Sequence, residues 1–576
     1  MNLISEQWIP IRRADGSREK IAPWEMTKDI NDGHRRIVAI ASPRPDFDGA
    51  LIQFLIGLLQ TTCTPPDKMT WRKWRKAPPS ADELKVRFET VAFAFELEGD
   101  GPRFMQDLTL GPTDFVKKPK KKNIIEQIGE EEAEEGLIPI SSLFLEAPGK
   151  LTRKQNRDHF VKRDFVDKLC PHCAASALFS LQTNSPGRGT GYRTSFRVKG
   201  GGVFSTILLE EDAINSIKSL WSTCWLNVLD ATKYLSGKSG NPDRQNVEDK
   251  FPWLAKTRTS ENDETTTPDD IHPDQQYWAM PQRIRLNSAS TNNESCGLCG
   301  EDKYKVYYNY YIKNSGINYK GSFRHPLSPY DLIEGHPKPV QTMTGGVGYR
   351  HWLGLVENEP NSIRQRAPVL ERYFAENKND AYIWAFGYDI YNNNKIRGWS
   401  DSVLPVFYMT DEVREIFIPL IKSMTIIANR VCGLMLNAVF KANFLDPKGK
   451  KFKKGGKRFE VIWEYPKPLK KFKKCEDDME GTVLQHQRAL LFSARIFFWE
   501  KTEVIFLTTI KELKTRLSDN DPHQECIEFW LQKLKHEAKE CFAQYIEVGD
   551  FDSCKPRRQS LAQYELGYAL KSILCS

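Results

Sequence analysis

Two Cys-x-x-Cys pairs, Cys170/Cys173 in CPHC and Cys296/Cys299 in CGLC, are the residues whose type and spacing point most directly to chemistry. One pair cannot close a tetrahedral site, but two supply four thiolates, the usual way structural zinc is held. A closed four-thiolate site leaves no position for water, so its role is to fold its surroundings rather than to hydrolyse. His172 lies inside the first pair and reads as a bystander, because four cysteines already complete the set. Two pairs of buried free thiols are the competing reading, and the matched spacings favour the metal.

Between the pairs lies Pro186–Arg193 (PGRGTGYR), followed shortly by Gly200–Gly202. The loop lacks the Gly-Lys-Ser/Thr ending of a nucleotide P-loop. It offers bare backbone flanked by Arg188 and Arg193, suited to close approach to a polyanion. The unit reads as a zinc-braced loop that touches nucleic acid. A search for catalysis returns little: Gly-x-Ser-x-Gly, His-Glu-x-x-His and the deaminase pattern are absent. Ser17–Lys20 fits Ser-x-x-Lys and Ser518–Asn520 fits the second β-lactamase box, but Lys-Thr-Gly is missing and both matches are read as chance. No two histidines stand as an i, i+4 ligand pair.

The elements that must carry these residues follow from size and pattern. A chain of 576 residues is too long for one core, so two or more domains are expected. Its 83 Lys+Arg against 75 Asp+Glu leave a net charge of +8, too modest to argue for nucleic acid except through clustering. The start, MNLISEQWIPIRR, is unlike a secretory leader. The most apolar segment, Ile416–Leu436, is broken by Lys422 and Arg430, so no membrane span is expected. Twelve cysteines over this length fit a reducing compartment, and a cytoplasmic location is expected.

Asn2–Arg13 with Asp15-Gly16 reads as strand and turn, Asp48–Thr61 as a buried helix, Val91–Glu98 as a strand, and Phe204–Leu209 as a strand. Ser216–Leu235 has helical spacing with Trp221, Trp225 and Tyr234 toward the core. Ser260–Asp274 reads as a surface loop and Lys303–Tyr311 as a strand anchored by the second cysteine pair. Lys117–Glu135, a basic block followed by an acidic one, reads as a solvated connector. Beyond Asp411 four segments, Glu412–Phe440, Gln485–Leu517, Pro522–Ile546 and Arg558–Leu574, show three- and four-residue apolar spacing, with Asp411 and Asp521 as helix starts. The expected class is α+β: a large mixed N-terminal domain (1–405) with a zinc-stabilised segment, then an all-α four-helix bundle (406–576). Lysines from Lys448 to Lys474, interleaved with aromatics, make an insert near 446–474 that reads as phosphate-contacting.

Several stretches together resemble one family, CasA, the large subunit of the type I-E CRISPR Cascade complex. They are Asn2-Leu3-Ile4 with Trp8-Ile9-Pro10, Phe104-Met105-Gln106, the two cysteine pairs, the glycine loop, His325–Pro329 (HPLSP) and Gly387–Trp399 (GYDIYNNNKIRGW), in the family's order over essentially the whole chain. The resemblance implies a non-catalytic subunit that reads a short flanking motif, the PAM, from the minor groove while guide RNA pairing reads the target. By position Gly189, Thr190 and Gly191, with Arg188, match the family's groove loop. Lys313 matches its lysine, with Asn314 one place off in a gapless count. Asn393, Asn394 and Lys395 match a wedge that separates the first base pairs; some relatives carry glutamine there, and a one-residue insertion leaves open which side chain leads. Leu143 and Phe144 with Leu145 match a guide-RNA contact, or are core. The implied partners are other Cascade subunits, guide RNA, double-stranded target DNA and a helicase–nuclease, with structural zinc as cofactor. A zinc-dependent nucleic-acid-processing enzyme and an RNA-binding scaffold without DNA readout are the alternatives.

Overall fold

The computed structural model describes residues 1–110, 137–147, 166–187, 192–198, 202–210, 219–236, 239–289, 293–303, 305–342, 345–358, 362–376, 379–391, 395–444, 481–546 and 555–573. They form two compact units: residues 1–346 with 361–403, and residues 347–360 with 404–576. The connector at 117–135 and the Lys-rich insert at 446–474 lie outside the described residues.

The first unit is built around α1 (Pro45–Thr62), buried on nearly every face. Its sequence is apolar all round, as a helix enclosed on all sides requires. Two amides are tolerated inside because they are satisfied: Gln60 donates to the Leu229 carbonyl at 2.9 Å and accepts from the Leu229 N–H at 2.8 Å. At mid-helix, Phe54 meets Trp8, Phe95, Phe104, Phe179 and Trp278 edge-on, with centroids 5.3–6.0 Å away. Such pairs add about 0.5–1.5 kcal/mol each beyond area burial.

Short sheets flank this helix. β1 (Ile9–Arg13) pairs with β2 (Arg18–Ile21) and β3 (Ile37–Ile40), the β1–β2 turn using Gly16 at φ +86°. β9 (Val306–Lys313) lies between β4 (Leu137–Pro139) and β6 (Arg283–Ala289), all antiparallel. β13 (Ala381–Tyr391) lies between β5 (Phe204–Glu210) and β14 (Lys395–Val406). β7 (Glu294–Ser295) and β8 (Asp302–Lys303) form a small ribbon, and β10 (Tyr330–Ile333) pairs with β11 (His336–Pro339) and β12 (Arg364–Gln365). The helices are α2 (Lys68–Lys76), α3 (Ala81–Glu89), α4 (Pro171–Asn184), α5 (Leu220–Leu226), α6 (Ala231–Leu235) and α7 (Pro368–Glu376).

Two expectations need correction. Val91–Glu98 is a 3-10 turn and loop rather than a strand, because side chains take the carbonyls a neighbouring strand would use. Trp253 Nε1 donates to Ala94, Asn2 Nδ2 to Ala92 and Gln106 Nε2 to Leu97. Ser216–Leu235 breaks into α5 and α6, since Asn227 turns its amide to the Leu208 N–H and carbonyl (2.8 and 3.0 Å) and Asp230 caps α6. Trp221, Trp225 and Tyr234 are buried as expected. Ser260–Asp274 carries an exposed stretch at Glu261–Thr265, as expected of a surface loop, anchored by the buried Ser260, Thr266, His272 and Asp274.

The second unit carries four long helices: α8 (Asp411–Phe444), α9 (Gly481–Asp519), α10 (Gln524–Gln544) and α11 (Lys555–Lys571). α8 packs against the other three. Phe417, Ile421, Met424, Ala428, Val431 and Met435 form its buried stripe. It is the one described helix long and apolar enough to cross a membrane, and half of its most apolar window is buried inside the protein. The third helix starts after His523, not at Asp521.

The β13–β14 hairpin is seated on the first turns of α1. Gly49 makes room for Trp399 of β14, whose ring would lie 2.7 Å from any Cβ there. Tyr388 of β13 donates to the buried Asp46, which Arg44 holds at 2.8 Å. One position on the hairpin admits no side chain: a Cβ at Gly387 would overlap the Val203 carbonyl and the Thr342 methyl. Gly387→Ala is therefore expected to destabilise the protein by about 1–3 kcal/mol in urea or thermal unfolding, the usual cost of overpacking.

Candidate nucleic-acid interface and metal centre

Cys170 is the N-cap of α4, its sulfur accepting from the Cys173 N–H; Pro171 at the first helical position favours that start. The second pair sits on the tight turn joining β7 to β8. The Gly300 N–H donates to the Cys296 carbonyl at 2.9 Å, and Gly300 takes φ +75°, a conformation that favours glycine. This turn is docked on the first pair: the Gly297 N–H donates to the Lys168 carbonyl at 3.0 Å and the Cys170 N–H points at the Cys296 sulfur at 3.3 Å. Leu169 and Tyr307 exchange backbone hydrogen bonds, tying the pair to β9.

All four sulfurs lie within 4.8 Å of one another, Cys170 and Cys299 at 3.8 Å. Tetrahedral zinc–thiolate geometry requires about 3.8 Å between sulfurs, so the donor set fits such an ion. The cysteines are free thiols, three of them buried. Hydrogen bonding among the sulfurs splits their acidities: donation to Cys170 pushes the Cys173 thiol up, while donation from Cys170 brings Cys299 down to about 7. His172 stands outside the cluster, its Nδ1 3.0 Å from Lys20 Nζ, consistent with a bystander.

The cysteine cluster and the glycine loop of the sequence reading are joined through α4. The cysteines sit at the start of α4 and the glycine loop follows its end, 14 residues later, or about 21 Å along the axis. A metal held there would anchor the start of the helix whose end leads into the loop. Arg188, Gly189, Thr190 and Gly191 lie outside the described residues, yet the base of their loop is described. The Ser195 N–H donates to the Ser185 carbonyl at 2.8 Å, Ser195 Oγ to Thr183 at 2.6 Å, and Gln282 Nε2 to Ser185 Oγ at 2.7 Å and to the Arg193 carbonyl. Arg193 Nε donates to Ser260 Oγ at 2.7 Å. On the return side, Arg197 is 3% exposed and has no carboxylate partner among the described residues. It donates instead to Ser328 Oγ (2.9 Å from Nε), Ser205 Oγ (3.0 Å), the Phe204 carbonyl (3.2 Å) and Gln53. Burial pushes its guanidinium down to about 9, so it stays charged near neutrality. Ser328 belongs to the HPLSP motif, whose part in the fold is to clasp this arginine.

Lys313 ends β9, opposite Arg283 and so one residue from Gln282 at the loop base; it is half-buried and without an ion-pair partner among the described residues. Asn314 is exposed. Asn393 and Asn394 lie outside the described residues, as does the side chain of Lys395, but the strands carrying them are described. Where the glycine-rich return reaches Gly202, it meets β13 directly. The Thr342 N–H donates to the Gly202 carbonyl at 3.0 Å and Thr342 Oγ1 to the Tyr388 carbonyl at 2.5 Å, with no room for a Cβ at Gly202. Leu143, Phe144 and Leu145 are buried, with Phe144 stacked on Phe47 at 6.1 Å and beneath Arg44.

The family model for CRISPR-associated protein Cse1 matches residues 2–541. The chain belongs to the Cse1 family. This is the CasA family of type I-E large subunits to which the motifs pointed. In fold, this Cse1-family chain is similar to Thermus thermophilus CasA (Cse1) at TM-score 0.63 and 14% identity, covering 100% of this chain and 99% of that one. It is similar to Acidimicrobium ferrooxidans Cse1 at TM-score 0.61 and 15% identity over 99% and 98% of the two chains. A chain of a CRISPR RNA-guided surveillance complex matches at TM-score 0.56 and 13% identity over 99% of both.

Sequence reading passed over two groups in this Cse1-family member. Ser185, Ser195 and Gln282 carry no motif, and only their backbone partners reveal their role. α2, KMTWRKWRK, had a visible signal in five cations over nine residues. For the cysteine cluster the expected outcome is one ion per chain by elemental analysis, falling well below that in Cys296→Ser. Chelation should lower the unfolding midpoint of the wild type, since structural zinc contributes about 10–16 kcal/mol in small modules.

Proposed function

We propose that this chain is the PAM-reading large subunit of a Cascade complex, non-catalytic, acting in the cytoplasm with the other subunits and guide RNA. The observation that carries this reading is a convergence in the first unit. Gln282, next to the residue paired with Lys313, binds the base of the glycine loop, which closes at Ser195; further along the same return segment, Gly202 packs on β13 of the hairpin that bears Asn393, Asn394 and Lys395. Gly189, Thr190 and Gly191 lie along the minor groove, where the lack of side chains lets backbone approach base edges, with Arg188 and Lys313 on phosphate or base. The hairpin tip enters the first base step beside the PAM, its contacts offsetting unstacking that costs a few kcal/mol. Zinc in the four-cysteine site has a structural role. Because Leu143 and Phe144 spend their side chains in the core, a guide-RNA contact there uses backbone. The Lys-rich insert follows displaced DNA, and a separate helicase–nuclease is recruited to cut.

In the assembled complex, Gly189→Asp is expected to weaken target duplex binding by roughly tenfold or more, since a carboxylate would face the phosphate-walled groove. Binding measured across PAM variants checks the reading as a whole: wild-type affinity that ignores the PAM would sink it.

A further inference from the structure

The exposed face of α2 has no part in the interface above. Asp67 caps the helix, accepting from the Thr70 N–H at 2.7 Å, and no acidic residue follows within it. Its apolar side is occupied: Trp71 is 1% exposed and donates to the Val228 carbonyl at 3.0 Å, while Trp74 lies 5.3 Å from Trp225. Of its five cations, Lys68 and Arg75 pair with Glu376 and Glu210. The other three, Arg72, Lys73 and Lys76, are exposed and have no ion-pair or hydrogen-bond partner among the described residues. Arg72 and Lys76 stand at i, i+4, where like charges repel. Arg87 of α3, stacked on Trp74 at 4.7 Å, adds a fourth cation beside them. The acids of α3 are Asp82, Glu83 and Glu89, and Glu83 is engaged by the Ser80 N–H at 2.7 Å.

We infer that this face is a second, sequence-independent phosphate-binding site for duplex DNA, beyond the PAM. Trp71 is buried and Trp74 half-buried, which leaves Met69 as the one exposed large apolar side chain of this helix, too little to lay into a lipid surface as an amphipathic membrane helix does. Its distance from the hairpin tip identifies the occupant. Arg75 is tied to Glu210, which pairs with Ala381 at the start of β13. From Ala381 to Tyr391 the strand runs 11 residues, about 34 Å, and one turn of B-DNA is also about 34 Å. A duplex engaged at the tip with its axis along this strand presents its backbone again near α2 one turn away, which the proposal places on the PAM side that stays paired. This placement rests on the proposed function; the phosphate affinity does not.

The test uses the assembled complex with Arg72→Gln, Lys73→Gln and Lys76→Gln combined, changes that keep helix propensity. With full-length flanks, the slope of log affinity against log salt should become shallower by about 2–3, from three lost phosphate contacts at about 0.9 each. The loss should be equal for every PAM and should vanish on targets whose PAM-side duplex is cut to about half a turn. An unchanged slope would overturn the site. A loss that persists on short flanks would overturn its placement, and failure of the variant to assemble would make the face a subunit contact instead. Wild-type binding without PAM dependence would remove the proposed function while leaving the slope comparison intact.

Discussion

The constraint on which the first unit depends is that α1 is enclosed on every side. A helix in that position has no solvent face to accommodate error, so its polar atoms must be satisfied inside and its neighbours must fit its surface closely. Gln60 meets Leu229 for the first reason, and Gly49 and Gly57 exist for the second: Trp399 and Tyr277 stand 2.7 and 2.8 Å from where a Cβ would be. Phe54 gathers five aromatic rings from sequence positions as far apart as Trp8 and Trp278. The same helix carries Asp46 on its first turn, so this enclosed helix is also the seat of the β13–β14 hairpin.

Around that seat the glycines divide the labour. Gly202 and Gly387 allow two backbones and the Thr342 side chain to share a space too small for any methyl group. Thr342 then joins both chains by hydrogen bonds. Arg197 secures the same return segment from beneath. Its partners among the described residues are hydroxyls and carbonyls, which satisfy donors but do not neutralise its charge. A buried cation held this way is costly to strip of even one partner.

What could be read in advance depended on whether a signal was local. The four long helices were legible because their apolar spacing persists over many turns. The cysteine pairs were legible because spacing alone dictates their chemistry, and their assembly into one cluster follows from two short local motifs. The strand at Val91–Glu98 was misread because its alternation is real but its carbonyls are claimed by Trp253, Asn2 and Gln106, none of them adjacent. For the same reason the base of the glycine loop was invisible: Ser185 and Gln282 meet across almost a hundred residues. The α2 cations lay in plain view, yet without knowing that Trp71 and Trp74 face inward there was no way to tell a surface from a solvated spacer.

One consequence follows from the cysteine cluster and the glycine loop occupying opposite ends of α4. A straight helix is a lever, and the cluster is its pivot. If the pivot slackens and the rod tilts by about 3°, its far tip swings by about 1 Å, enough to spoil a close fit between backbone and base edges. On the proposed function, an ion held at the cluster would act on base readout from the other end of the rod, through leverage alone.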